Sequence, residues 1–143
     1  MNYFSSTKDI PVINNFIMLF ARIFIGISMI LLHGLPKLEK LQLGGDIKFY
    51  NFLGLGAETT LIIAVLLEII GAFLIIIGLF TRATSLILMM LMAVAAFGVH
   101  SSDPFSVMET SLLYLTVFAL IFAFGPRRFS IDAMIAKKRE SKW

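Results

Sequence analysis

Residues 13–37 read INNFIMLFARIFIGISMILLHGLPK, an apolar stretch with an arginine in its middle and a histidine near its end. About 20 apolar residues cross a bilayer as a helix, so this segment is long enough to span one. A crossing leaves Arg22 near the midplane, where an arginine costs from about 3 to more than 10 kcal/mol. Its side chain must turn inward and find a carboxylate or another polar partner. Arg22, Gly26, Met29, His33 and Lys37 recur every three or four residues, which puts them on one stripe of a helix. That stripe is expected to face the protein interior.

The composition around this stretch sets the class. Apolar residues make up 59% of the chain and charged residues 15%, against roughly 45–50% and about 25% in soluble domains. The mean hydropathy is +0.93. Such a chain is an integral membrane protein, and 143 residues leave room for one bundle and no separate soluble domain. With no cysteine, it holds no disulfide, thiol redox couple, iron–sulfur cluster or thiolate metal site. Any redox role must use a bound small molecule. The net charge of +3 comes mostly from a basic C-terminal tail. In so apolar a chain it points to the lipid bilayer and its anionic head groups as partner, with no nucleic acid.

The pattern predicts an all-α fold, a four-helix transmembrane bundle over residues 13–124. A polar segment, 1–12, precedes it and a basic tail, 125–143, follows. The apolar run is too long, and too interrupted by Arg22, for a cleaved signal peptide, so the first helix is expected to be retained. The predicted spans are 13–35, 59–80, 83–100 and 104–124. Gly34-Leu35-Pro36 should end the first. Residues 37–58 contain a Gly44-Gly45 break, and Asp46 is placed to cap a short segment. Ile47, Phe49, Tyr50 and Phe52 are too apolar for a free loop. This connection reads as an interfacial helix or re-entrant flap over the mouth of the bundle, or as mere cover for helix ends.

The second span carries Glu68 near its middle, on a face with Gly71, Ile75, Gly78 and Arg82, and the glycines there permit close helix approach. A tight connection at residues 81–84 makes helices two and three an antiparallel hairpin. In the third span Ser85, Met89, Met92, Ala96 and His100 share a stripe. Asp103 and Pro104 look like a cap and first turn, with Glu109 near the same end of the fourth helix. Gly125-Pro126 stops that helix. Ser130 then caps a short amphipathic helix with Ile131, Met134 and Ile135 opposite a basic cluster, a pattern suited to an anionic membrane surface.

Four spans put both termini on one side, with Lys8, Arg82, Arg127, Arg128, Lys137, Lys138, Arg139 and Lys142. The other side has Lys37, Lys40 and Lys48. The positive-inside rule places both termini in the cytoplasm. His33, His100 and Glu109 then lie toward the outer ends. Arg22 and Glu68 sit deeper, at a common level and within direct or water-bridged reach of each other.

The early arginine, HGLPKLEK at 33–40, LLEIIGAFLIIIGLFTR at 66–82 and GPRRFSID at 125–132 together resemble the DoxX family of small bacterial membrane proteins, over roughly residues 17–135. The resemblance implies a four-helix protein of the bacterial inner membrane, associated with membrane oxidoreductase systems and with quinone. It carries over to Arg22, His33, Gly34, Lys37, Glu68, Gly71, Gly78, Arg82, Glu109, Gly125, Pro126, Ser130 and Asp132. His100 has no secure place in that pattern.

Each of these residues has two readings. Arg22 and Glu68 are a structural ion pair that sets helix register, or they hold a polar head group and carry protons to it. His33 caps a helix end, or donates to a quinone carbonyl. Lys37 snorkels, or joins the site with Glu109 and His100. Gly26 and the other glycines, Arg82, Pro126 and Asp132 are structural. Two histidines alone are a weak signal for haem, and a metal held by His33, His100 and Glu109 has no further support; no metal is assigned. Two functions stay open. One is a quinone-interacting subunit of an oxidoreductase, not catalytic alone, with a soluble or peripheral redox protein as partner. The other is a non-catalytic small-molecule permease or assembly factor. Self-association into a homo-oligomer is compatible with both.

Overall fold

The structure is a computed structural model that describes residues 10–140. Lys8, Lys142 and all but the end of the polar segment 1–12 lie outside the described residues. Four helices are long and apolar enough to cross a membrane: α1 (Pro11–Leu43), α2 (Ala57–Ile77), α3 (Thr81–Val99) and α4 (Phe105–Phe124). A shorter helix, α5 (Ile131–Glu140), follows. Pro11 opens α1, where a missing N–H loses no hydrogen bond.

α1 does not stop at Gly34-Leu35-Pro36, as its sequence predicts, but runs on to Leu43 and ends at Gly44, with φ +64°. The reason is a π turn over Ile30–Gly34, in which the Leu35 N–H donates to the Ile30 carbonyl. A proline inside a regular α-helix removes a donor and clashes with the carbonyl four residues back. The wider π turn relieves both at Pro36, so the helix continues. Its 33 residues make a rod about 50 Å long at about 1.5 Å per residue, well beyond a hydrocarbon core of about 30 Å. The centre of the apolar run therefore does not by itself fix where the midplane of a membrane falls along α1.

Two other boundaries also move. The α2–α3 turn is Gly78-Leu79-Phe80, with φ +70° at Gly78 and +49° at Phe80. The predicted connection at 81–84 is instead the first turn of α3, and Arg82 leaves the α2 face on which it was placed. Asp103 does not cap α4: Pro104 occupies the cap position without a side-chain bond, and Asp103 turns to His100.

The helices pack as a ring, α1 on α2, α2 on α3, α3 on α4 and α4 back on α1, with α3–α4 the most extensive pairing. Met29, Ala72, Ile75, Leu88, Phe118 and Ile121 fill the centre with no exposure. At Gly26 a Cβ would fall 2.5 Å from Ile76 Cγ1 and 3.0 Å from the Ala72 carbonyl oxygen, so glycine lets the two backbones approach. The outward faces carry Phe16, Phe20, Phe24, Phe73, Phe97 and Leu113. So continuous an apolar exterior suits lipid as the surrounding solvent. One end of the bundle, here the basal end, holds the start of α1, the 78–80 turn and residues 125–130. The opposite, flap end holds residues 44–56.

Candidate functional site

A cavity of about 620 Å³ opens inside the flap half of the bundle. Its roof is the 44–56 connection, whose Phe49, Tyr50, Phe52 and Leu55 line it. This stretch is neither helix nor free loop. A short 3₁₀ turn at Phe52–Gly54 interrupts an extended path. Local bonds pin the path: Gly56 N–H donates to Asn51 Oδ1 at 2.8 Å and Phe52 N–H to Thr60 Oγ1 at 3.2 Å. Lys40 Nζ donates to the Lys48 carbonyl at 2.5 Å.

The cavity wall is mostly apolar, with its charged groups, Lys37 and Glu68, on α1 and α2. Lys37 Nζ donates to Glu68 Oε1 at 2.5 Å. Glu68 is 2% exposed, and its other oxygen, Oε2, has no hydrogen-bond partner among the described residues. A buried charge needs a partner of opposite sign, and Lys37 supplies it. His33, half-buried beside them, meets the Tyr114 ring edge-on with centroids 4.9 Å apart. At the flap-end mouth His100 Nδ1 lies 2.7 Å from Asp103 Oδ2, which leaves Nε2 as the nitrogen open to a ligand.

Three π turns occur among the described residues, and all border this cavity. Ile30–Gly34 carries His33, Leu67–Gly71 carries Glu68, and Ala95–Val99 leads into His100. A π turn inserts an extra residue into the helical register, re-aims the side chains around it, and is found often at functional sites. Sequence periodicity does not reveal these turns. The available cue was a glycine in each: Gly34, Gly71 and Gly98.

Arg22 lies elsewhere. Gly26 on α1 faces Ala72 and Ile76, while Gly34 faces Glu68 and Ile69. Arg22 is thus about three turns basal of Glu68, and the expected Arg22–Glu68 pair does not form. The fully buried Arg22 donates through Nη2 to the Phe129 carbonyl. Its Nη1 occupies the space a Cβ would take at Gly78, which only glycine leaves open at that positive φ. Asp132 supplies the compensating charge. Its carboxylate accepts from Phe80 N–H and Thr81 N–H, both at 2.9 Å, and from Thr81 Oγ1 at 2.8 Å, capping α3. Ser130 Oγ accepts from Ala133 N–H at 3.1 Å and caps α5 as expected. At Gly125 (φ +72°) a Cβ would fall 3.1 Å from Arg82 Nε, so Arg82 closes over the end of α4 just before Pro126. These residues form one joint that ties the C-terminal segment to the basal end.

Glu109 is exposed on α4 and does not line the cavity; Thr110 and Ser111 do. His33, His100 and Glu109 therefore do not assemble as a ligand set. Thr60, in the cavity wall, and Tyr114, against His33, join the site without having been singled out in the sequence, because each needs the fold to bring it there.

The DoxX family model matches residues 17–101, which take in α1 to α3 and stop before α4 and the GPRRFSID segment. An uncharacterised protein of Haemophilus influenzae is 30% identical over 120 residues, covering 77% of this chain and 84% of that protein. No solved structure matches the chain. With a family match over more than half its length and four helices able to cross a membrane, the chain belongs to the DoxX family of membrane proteins.

Proposed function

We propose that this protein is the membrane subunit of an oxidoreductase system and binds a quinone-type ring in the cavity beneath the flap. The observation that carries this reading is the Lys37–Glu68 pair with its unpartnered Oε2, set beside His33 in the wall of an otherwise apolar cavity. A quinone is an apolar ring with two carbonyls that accept hydrogen bonds. Lys37 uses one of its three N–H groups on Glu68 and keeps others for a carbonyl. His33, in the same wall, would donate to that carbonyl as well. Lys37 would stabilise negative charge developing there, and Glu68 would exchange a proton with it. The chain has no cysteine, so a soluble or peripheral redox protein is the partner that would exchange electrons.

The distribution of charge supports an orientation with both termini in the cytoplasm. Arg82, Arg127, Arg128, Lys137, Lys138 and Arg139 gather at the basal end, while Lys37, Lys40 and Lys48 are at the flap end. The cavity then opens toward the outer leaflet.

A photoreactive quinone analogue tests the site. His33→Ala should reduce labelling of the cavity severalfold while thermal stability stays close to that of the parent, since His33 is only half-buried. Equal labelling of parent and variant, or labelling confined to the outer faces, would leave these residues with a structural role alone.

A further inference from the structure

α2 does not stay against α3 along its whole length. Its basal part, Leu67–Ile77, packs on α3, whereas Ala57–Leu66 packs chiefly on the Leu35–Leu43 part of α1. The two helices part toward the flap end, starting at the π turn that carries Glu68. The cavity reaches into this gap, where Ile63 on α2 and Ile87 and Met90 on α3 line it. These side chains are also 41%, 46% and 61% exposed. A side chain that lines a cavity and keeps this much of its surface accessible sits where the cavity is open.

The chemistry of the rim says what lies beyond it. Between α2 and α3 all three side chains are apolar, whereas the accessible edge at the flap end also carries Tyr50, His100 and Thr110, groups that water can solvate. The roof above the cavity is the aromatic flap, where Tyr50 packs so closely on Gly98 that a Cβ there would sit 3.1 Å from the Tyr50 hydroxyl.

We propose that the gap between α2 and α3 is a lateral portal to the hydrocarbon core, used by a ligand whose ring carries a long isoprenoid or alkyl tail. The ring reaches Lys37, Glu68 and His33 while the tail stays between Ile63, Ile87 and Met90 and extends into the bilayer. This inference rests on the quinone reading above and narrows it to membrane-resident quinones.

Two ligands in lipid nanodiscs test it: a tailless methylnaphthoquinone and the same ring with a long isoprenoid chain. Filling the rim with Ile63→Trp or Met90→Trp should weaken the tailed ligand relative to the tailless one by about tenfold or more, about 1.4 kcal/mol. Equal losses for both ligands, or no loss for either, would overturn the portal while leaving the ring site intact. If the parent binds neither ligand, the quinone reading fails and takes this one with it. A second measurement needs no variant. A diazirine in the tail should label Ile63, Ile87 or Met90 in the parent, and labels confined to the flap residues 49–55 would place the tail elsewhere.

Discussion

Glu68 is almost fully buried in an apolar helix, and its charge is balanced by Lys37. Removing one partner of a buried pair typically costs about 3–5 kcal/mol, because the other charge is stranded, whereas replacing both is often close to neutral. Lys37→Met and Glu68→Leu should each destabilise the protein more than the double variant does, measured by unfolding in mild detergent. Arg22→Met combined with Glu68→Leu should instead be additive within about 0.5 kcal/mol, as expected for distant sites. A strong coupling between Arg22 and Glu68, with none between Lys37 and Glu68, would contradict the arrangement described. The inward stripe of Arg22, Gly26, Met29, His33 and Lys37 was legible in the sequence because helical spacing alone determines it. The pairing was not. Depth was read from the centre of each apolar run, whereas the packing of Gly26 on Ala72 and Ile76, and of Gly34 on Glu68 and Ile69, sets the two helices at another register. Arg22 consequently meets the closing segment of the chain, and the carboxylate falls to Lys37.

Helix type and order were equally plain, since runs of apolar residues between glycine, proline and charged breaks admit one reading. The ends of elements were harder. Pro36 is an ordinary stop signal, and only the π turn before it lets α1 continue. Asp103-Pro104 has the form of a cap, but His100 sits within reach and takes the carboxylate. At the other end of the bundle, Asp132 shows a cap supplied from far along the chain, 51 residues from Thr81. Loss of a side-chain cap costs about 0.5–2 kcal/mol. Asp132→Ala forfeits three bonds and a charge facing Arg22, so a loss of about 2 kcal/mol is expected, with Asp132→Asn recovering part of it. Thermal unfolding of the two variants measures this. An unchanged transition for Asp132→Ala would show that the basal joint is held by other contacts.

On the scale of the whole molecule, four helices close tightly at the basal end and open at the flap end, where the cavity lies between a covered roof and a lipid-facing gap. This asymmetry gives the protein a sealed side and an open side, and most of the basic residues lie on the sealed one. Single cysteines at Ser5, Ser101 and Ser141 in this cysteine-free chain read the orientation in intact cells. An impermeant thiol reagent should label Ser101→Cys and spare the other two, and labelling at either terminus would reverse the assignment. The central claim, that the Lys37–Glu68 cavity holds a quinone, is tested most directly by what the protein carries out of the membrane. Gentle extraction followed by mass spectrometry of the bound lipid should find quinone with the parent and at least about tenfold less with the folded Lys37→Met, Glu68→Leu double variant, a difference of about 1.4 kcal/mol in binding. A parent that carries no quinone, or a double variant that carries as much, would contradict it.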